Sequence, residues 1–452
     1  MKQFFQHRWQ QIRKPKNRPF IIALAVTSGL PILLLFWLVA SKSVNAPFWD
    51  QWIYADLLGK IQAGTFTLHD LWVQHNEHRL VFPKIIQLSV AMLTQWNTRI
   101  EVIMNFIITL SAYGLMIWMM WRTFKNRAFL VAGAAVTAWL LFSPLAYINW
   151  TWGFQFAFYF SVFATTLAVW GLYKNSAIEK LDVWFWVAIV GALMCNYSIG
   201  NGMLAWAAGS VALLAYGAGK TKLIVWHATA LVSVALYFYH FNLAAGGLSA
   251  LLHRPLDGLQ YILQYLGHPL GAQPEGALMA GIILVVIATI SITVIWRKKE
   301  LARVAPWLAI GSYGLLTALM AAASRMGPFG VNHSMSFSYT TISVLFTIGT
   351  LILATYATET SLRKVLRWRP KYLIVTGCVL GLIAYPLGTS YFQNYFTGIG
   401  KMSEQSEHYK KVQACLYSAQ SADDPCLLTT FPDKQQAWEK LQTIREFGWG
   451  RY

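Results

Sequence analysis

Long apolar runs alternate with short polar segments along almost the whole chain, and this pattern predicts helices that cross a membrane. A helix needs about 20 residues to cross the hydrocarbon core of a bilayer, and the first run, 20–40, meets that length. Ten further runs predict spans at 100–121, 128–144, 154–173, 183–197, 202–219, 223–242, 277–296, 306–323, 338–357 and 372–391. The predicted fold class is therefore all-α, a polytopic transmembrane helical bundle of about eleven spans.

The segment 80–96 is also apolar but short. If it crossed the membrane, the basic cluster Arg122, Lys125 and Arg127 would fall on the side opposite to the other basic clusters. Cationic residues are enriched in cytoplasmic loops, so we prefer the topology that keeps these clusters together. We expect 80–96 to form an interfacial or re-entrant helix.

Composition agrees with this pattern. Hydrophobic residues make up 56% of the chain and charged residues 12%, against about 25% charged in ordinary soluble domains, which excludes a soluble globular enzyme. The net charge is +18, but the cations lie in short segments between the spans rather than on one nucleic-acid-binding face, so no nucleic-acid partner is expected. These basic segments are 2–18, 122–127, 174–180, 220–222, 297–303 and 363–371. The positive-inside rule places them and the amino terminus in the cytoplasm, and the carboxyl terminus outside.

The predicted topology divides the chain into a transmembrane domain, 1–391, and a small external tail, 392–452. Within the first, 42–99 is a long external loop with interfacial helices. The tail has a soluble composition and contains Cys415 and Cys426. Two alternatives stand for this pair: a disulfide bond, which an oxidising periplasm permits, or two free thiols, since spacing alone does not fix the geometry.

Two carboxylates in the first external loop are candidates for catalysis. Asp50 lies between Trp49 and Trp52, close to the predicted membrane surface. A carboxylate there would act as a general base or would cap the loop helix predicted after it. Glu77 is the reserve base.

Glu77 belongs to a run of five polar side chains, His75 to Arg79, just before the segment 80–96. If this run were helical, His75 and His78 would share one face and Glu77 would complete a site for a divalent metal ion. Their order differs from that of zinc-peptidase helices, so no metal and no cofactor is predicted, and the metal stays an alternative. We assign His75, Asn76 and His78 to substrate orientation.

Arg79 and Arg325 occupy predicted external segments, where the positive-inside rule disfavours arginine. A partner should therefore offset the cost of each guanidinium. A phosphate group is one such partner, because a guanidinium binds phosphate oxygens in a bidentate manner. The alternatives are lipid headgroups or a structural pair with Glu77 or Asp50.

Other polar and aromatic residues on the predicted external side are candidates for binding a sugar. They are Trp152, Gln155, Asn196, Asn201, His333 and Tyr339. Aromatic faces stack on sugar rings and amides bind hydroxyl groups, while the alternative for the tryptophans is an interfacial aromatic belt.

The acidic residue in Phe48-Trp49-Asp50-Gln51, the run from His75 to Arg79 and the segment Ser324-Arg325 resemble features of the C-type (GT-C) glycosyltransferases. The likeness is architectural over most of the chain. The chain is also similar to uncharacterised bacterial integral membrane proteins with a comparable Asn-Glu-His-Arg run. It lacks the Asp-Asp or Asp-Glu pair at position 50 and the large soluble external domain of better-known GT-C members.

The resemblance implies a glycosyltransferase in the bacterial cytoplasmic (inner) membrane, with its active site facing the periplasm. It would move a sugar from a polyprenyl-phosphate donor to a cell-envelope glycan or lipid by inverting displacement, in contact with membrane lipids. Asp50 would take the proton of the acceptor hydroxyl, and Arg79 and Arg325 would stabilise the leaving phosphate.

The alternative function is a transporter or flippase of a lipid-linked glycan. Transporters bind their substrates near the membrane midplane, between related halves of the chain. Here the polar candidates gather on one predicted side, and no internal repeat is evident. The sequence therefore favours an enzyme.

Overall fold

The computed structural model describes residues 18–175, 180–242, 247–365 and 370–450. It is 83% helical, and the described residues contain no β-strand, only an isolated bridge between His75 and His78. The predicted all-α fold class is confirmed.

The α-helices are numbered in chain order. They are α1 Arg18–Lys42, α2 Ile53–Gln62, α3 Leu68–Trp72, α4 Val81–Thr94, α5 Thr98–Thr123, α6 Arg127–Leu141, α7 Tyr147–Thr151, α8 Phe156–Lys174, α9 Val183–Asn196, α10 Leu204–Tyr216, α11 Lys220–Phe238, α12 Gly247–His253, α13 Pro255–Gly267, α14 Pro274–Arg297, α15 Leu301–Phe329, α16 Thr340–Val365, α17 Pro370–Ser418 and α18 Lys434–Glu446. Short 3-10 helices lie at Trp49–Trp52, Pro144–Ala146, Gly153–Gln155, Gly200–Met203, Val331–Met335, Phe337–Tyr339 and Pro425–Thr429.

Among the described residues, eight helical stretches are long and apolar enough to cross a membrane. They contain α1, α5, α6, α8, α11, α14, α15 and α16. The chain is therefore a multi-pass membrane protein. The predicted spans 183–197 and 202–219 correspond to α9 and α10, which are only 14 and 13 residues long. The predicted span 372–391 falls within α17, where most side chains of that range lie outside the described residues. A count of eleven stays a prediction.

The apolar segment 80–96 forms α4, a helix of 14 residues. At a rise of 1.5 Å per residue it extends about 21 Å, less than the roughly 30 Å of a bilayer core. Met92 and Leu93 of α4 are exposed, while Lys84 and Gln87 of the same helix are buried. An interfacial or re-entrant placement fits this length and this distribution of side chains.

Contacts between helix ends bring several basic segments together at one end of the bundle, which we call the basic end. At the start of α15, Arg303 Nε donates to the carbonyl of Thr123 at the end of α5, at 2.8 Å. After α14, Lys298 Nζ donates to Thr360 Oγ1 near the end of α16, at 2.8 Å. The positive-inside rule requires such a clustering, and the assignment of this end to the cytoplasm stays a prediction.

The first loop and the carboxyl-terminal tail share one hydrophobic core, and we call this assembly the loop–tail unit (43–97 with 409–450). Trp52 and Trp96 from the loop are fully buried together with Leu416 and Leu441 from the tail. Helix α2 of the loop packs against α18 of the tail. Burial of apolar surface from both segments stabilises the unit. The loop and the tail therefore pack against each other in a single core.

Main-chain bonds and a disulfide complete the loop–tail unit. The N–H of Trp49 donates to the carbonyl of Thr430 at 2.9 Å, and the N–H of Gly450 donates to the carbonyl of Gln95 at 2.7 Å. A disulfide bond joins Cys415 to Cys426. The sequence left open either a disulfide bond or two free thiols for this pair, and the structure contains the disulfide bond.

Candidate functional site

The polar run His75 to His78 forms a tight turn rather than a helix. The N–H of His75 donates to the carbonyl of His78 at 2.8 Å, and the N–H of His78 returns the bond at 2.9 Å. Asn76 lies in the left-handed region at φ 48°, which asparagine adopts more readily than most residues. The helical face that a metal site would have used is therefore absent, and the described residues contain no group of three or more His, Cys, Asp or Glu able to hold a metal ion.

Two neighbouring segments hold this turn in place. Gly200, between α9 and α10, donates its N–H to His78 Nδ1 at 3.0 Å. At the end of α11, the hydroxyl of Tyr237 donates to the carbonyl of Glu77 at 3.0 Å. A Cβ atom at Gly200 would lie 2.9 Å from the Glu77 carbonyl oxygen, so only glycine allows this approach. The turn is thus fixed by backbone packing as well as by its own bonds.

Burial lowers the pKa of His78 from 6.5 to about 4, and the nearby Arg325 and His75 act in the same direction. His78 is therefore neutral at pH 7. The neutral ring leaves Nδ1 as an acceptor for the Gly200 N–H, which is the bond the structure contains.

Glu77 pairs with Arg325, although 248 residues separate them in the chain. Nη2 of Arg325 lies 2.8 Å from Oε2 of Glu77, and the two side chains are 28% and 37% exposed. The guanidinium also lies over the ring of Phe329 at 5.8 Å. This is the predicted structural pair for Arg325, but it is partly exposed to solvent and so accessible to a ligand.

The pair stands at the wall of a cavity of about 150 Å³. Its lining residues are Glu77, His78, Phe158, Ile199, Gly200, Asn201, Tyr265, Thr317, Met320, Ala321, Ser324, Arg325, Tyr339 and Ile342. The lining therefore combines charged groups, an amide and phenols with aliphatic and aromatic side chains.

Hydrogen bonds orient the polar side chains of this wall. Asn201 donates through Nδ2 to the hydroxyl of Tyr313 at 3.0 Å. The hydroxyl of Tyr339 lies 3.1 Å from His333 Nε2, and the ring of Tyr339 packs 5.3 Å from that of Tyr265. Burial, reinforced by Arg325, lowers the pKa of His333, which favours the neutral ring that can accept a hydrogen bond from the phenol.

Arg79 lies apart from this cavity. Its side chain is fully buried, and its guanidinium donates to the carbonyls of Trp72 at 2.7 Å, Tyr237 at 2.5 Å and Tyr239. The ring of Trp72 lies 4.7 Å from its charge. Arg79 therefore joins the loop to the end of α11, and its donors already have partners.

Asp50 and His75 form a second polar group next to the turn. Asp50 lies in the 3-10 helix Trp49–Trp52, and its Oδ1 is 3.8 Å from His75 Nε2. Asp50 provides the N-cap of neither this helix nor α2, so the capping interpretation fails. Neither Asp50 nor His75 is among the residues that line the cavity.

The remaining sequence candidates lie outside the cavity lining. Trp152 donates its indole N–H to the carbonyl of Phe48 at 3.2 Å, which places it beside the Asp50 group. Asn76, the left-handed residue of the turn, is exposed, and its amide lies 3.4 Å from the His75 ring. Gln155 and Asn196 are buried. The structure therefore brings Glu77, His78, Asn201, Arg325 and Tyr339 together at the cavity, with His333 in contact with Tyr339. The other candidates lie apart from it.

Sequence reasoning missed Gly200, Thr317 and Tyr265 as cavity residues. The signal for Tyr265 was its spacing of four from Tyr261 on an amphipathic helix, α13, whose buried face holds both rings. Gly200 lies between two residues, Ile199 and Asn201, that also line the cavity. A glycine is needed at position 200 because the backbone of Glu77 approaches it closely. This approach depends on the fold and cannot be recognised in the sequence.

Chemically, this wall can bind an anion through Arg325, accept a proton at Glu77 and hydrogen bond to hydroxyl groups. The apolar residues of the same lining can pack against hydrocarbon. No family model matches the chain, and neither a curated protein nor a solved structure matches it.

Proposed function

We propose that the protein is a glycosyltransferase that moves a sugar from a polyprenyl-phosphate donor to a hydroxyl-bearing glycan or lipid. The observation that carries this proposal is the Glu77–Arg325 pair at the wall of a cavity whose lining contains both polar and apolar side chains. A phosphate attached to a lipid chain and a sugar needs both kinds of surface.

Arg325 is the proposed phosphate ligand. Among the described residues its one hydrogen bond goes from Nη2 to Glu77, so Nε and Nη1 remain for phosphate oxygens. A guanidinium binds phosphate through two parallel bonds. Ile199, Met320 and Ala321 on the same cavity provide apolar contact for the first carbons of the polyprenyl chain.

The proposed reaction is a single displacement. The acceptor oxygen forms a bond to the anomeric carbon, the bond from that carbon to the phosphate oxygen breaks, and both electrons leave with the polyprenyl phosphate. The acceptor proton goes to a carboxylate. Because the leaving phosphate is a stable anion, the enzyme has to neutralise charge rather than supply a proton, and Arg325 does so.

The geometry favours Glu77 as the base over Asp50, because Glu77 is the carboxylate on the cavity wall. A phosphate that binds Arg325 competes with Glu77 for the guanidinium. The carboxylate released from Arg325 then takes the proton of the acceptor hydroxyl. Asp50, beside His75, is then available to bind acceptor hydroxyl groups.

The position of the pair favours an enzyme over a flippase. Arg325 lies in the last two turns of α15, near one end of a 29-residue helix, whereas carriers bind substrate near the midplane. The basic end lies at the start of the same helix, with Arg303. By the positive-inside rule, the cavity would then face the periplasm of a bacterial inner membrane.

The test uses the full chain in nanodiscs, a panel of radiolabelled polyprenyl-phosphate sugars and a cell-envelope lipid fraction as acceptor. We expect labelled lipid product from one member of the panel, and its loss in Glu77→Gln and Arg325→Gln. The chain offers a matched control pair, Arg254 and Asp257, which form an exposed ion pair at 3.6 Å. Arg254→Gln and Asp257→Asn should keep full transfer.

A parallel measurement in proteoliposomes distinguishes the enzyme from the alternative, a transporter or flippase of a lipid-linked glycan. If a labelled polyprenyl-phosphate sugar crosses the bilayer intact, and Arg325→Gln abolishes that movement while no sugar is transferred, the protein is a carrier. Full transfer by the double variant Glu77→Gln/Asp50→Asn would remove the proposed base.

A further inference from the structure

A second cavity lies at the basic end. It shares no lining residue with the cavity of Glu77 and Arg325. It has a volume of about 160 Å³. Its lining residues are Trp121, Phe124, Lys125, Asn126, Arg127 and Leu130. They come from the end of α5, the short connection to α6 and the first turn of α6. Two cationic side chains and two aromatic rings thus surround one space.

Aromatic rings hold one of the two cations at the edge of the bundle. The guanidinium of Arg127 lies 5.3 Å from the ring of Phe20 in α1 and 5.6 Å from that of Trp121. Trp121 is 39% exposed. Tryptophan and arginine at the ends of apolar spans are typical of the layer of lipid headgroups. The cavity therefore lies where three membrane-spanning helices meet that layer.

A carboxylate from α16 fixes the connection that carries the cations. Glu359 Oε1 accepts the N–H groups of Lys125 at 3.0 Å and Asn126 at 2.5 Å. Asn126 in turn caps α6, because its Oδ1 accepts the N–H of Ala128 at 2.9 Å. These bonds join the main chain of the connection to α16.

We propose that this cavity binds the phosphate of an anionic phospholipid. Lys125 and Arg127 supply the positive charge, and the span ends α1, α5 and α6 supply apolar contact for the acyl chains. Basic pockets between membrane-spanning helices bind acidic headgroups in this way. A free phosphate offers the same charge but nothing for Phe20, Trp121 and Leu130 to contact. The site is independent of the proposed glycosyl transfer.

The test is native mass spectrometry of the detergent-solubilised full chain titrated with dioleoylphosphatidylglycerol or dioleoylphosphatidylcholine. We expect the wild type to prefer phosphatidylglycerol. Each cation near a lipid headgroup contributes about 1 kcal/mol, so Lys125→Gln/Arg127→Gln should weaken that binding about thirtyfold. Arg127→Lys keeps the charge and should keep most of the affinity.

The matched control is Lys220→Gln/Arg297→Gln, two exposed cations at the ends of other helices, outside this cavity. It removes the same charge and should leave affinity unchanged. If loss of the Arg127 contacts prevents folding, Lys125→Gln alone should weaken binding about fivefold. Equal binding of the two lipids, an equal loss in the control, or binding of soluble glycerol phosphate as tight as that of the lipid would each overturn the proposal.

Discussion

The surroundings of Arg79 and Arg325 differ sharply, although the sequence suggested one role for both. Arg79 is 2% exposed, and its donors meet main-chain carbonyls of the first loop and the end of α11. Arg325 is part-exposed and meets a carboxylate at the wall of a cavity. Carbonyls that belong to the fold are permanent partners, whereas a partly exposed carboxylate can be displaced by another anion.

This difference teaches that the partner, rather than the arginine itself, indicates the role. A buried guanidinium bound to carbonyls stabilises structure, because removing it leaves those acceptors without partners. A part-exposed ion pair contributes little to stability and is available for binding. The predictions below test this contrast, starting with the largest expected effect.

Arg79→Ala should destabilise the protein by about 4 kcal/mol or more, since the carbonyls of Trp72, Tyr237, Tyr239 and His240 lose a charged donor, at about 1 kcal/mol or more each. Thermal unfolding in detergent, followed by tryptophan fluorescence, measures the effect. Arg79→Lys should rescue little, because one ammonium group does not reproduce the fork of the guanidinium. An Arg79→Ala protein as stable as the wild type would contradict the structural role assigned to Arg79.

Arg325→Ala should leave the thermal midpoint almost unchanged, within the 1 kcal/mol typical of exposed pairs. Its affinity for polyprenyl phosphate should fall about tenfold to a hundredfold, because hydrogen bonds to charged groups contribute about 1.5–3 kcal/mol. Binding to nanodisc-held protein gives the affinity, with Arg254→Ala as the control. A large loss of stability with unchanged affinity would reverse the roles assigned to the two arginines.

Gly200→Ala should destabilise the turn that positions Glu77 by about 1–3 kcal/mol, the usual cost of overpacking. The added Cβ would lie 2.9 Å from the Glu77 carbonyl oxygen and 3.0 Å from His78 Nδ1. The control is Gly114→Ala in α5, where nothing lies within 4 Å of the added atom. The thermal midpoint should fall in the first variant only, and donor affinity should fall with it.

The smallest effect is a pH dependence. The folded-state pKa of His78 is about 4, below its usual 6.5, so the unfolded state binds the proton more readily. Stability is therefore complete above pH 6.5 and is lost as the pH falls from 6.5 towards 4, by about 1 kcal/mol at pH 5.5. His78→Gln should flatten part of this slope. The rest should remain, because burial also lowers the pKa of His268 to about 4.

Much of the membrane architecture could be predicted from the sequence, since length and apolar composition alone determine whether a helix can span a bilayer. The limits appear at α9 and α10, whose ends depend on tertiary packing. The sequence separated the predicted spans 183–197 and 202–219 at Asn201, where the structure has the 3-10 helix Gly200–Met203. The short lengths of α4, α9 and α10 show why a count of spans from hydropathy is least secure where polar residues interrupt the apolar runs.

The candidate site could be predicted only in part. The run His75 to Arg79 was recognisable because polar side chains stood together beside an apolar segment. That Glu77 would meet Arg325 across 248 residues, while the adjacent Arg79 turned to α11, depends on long-range packing. Local sequence contains no information on such pairings, since neighbouring residues in a turn point in different directions.

The shared core of the loop–tail unit has a consequence for biosynthesis. Trp52 and Trp96 emerge from the ribosome early, but Leu416 and Leu441, which bury them, are made more than 300 residues later. At about 5–20 residues per second, the first loop waits on the order of tens of seconds with its apolar side chains uncovered. During that interval we expect the membrane surface or a chaperone to shield the apolar side chains of the loop until α18 is made.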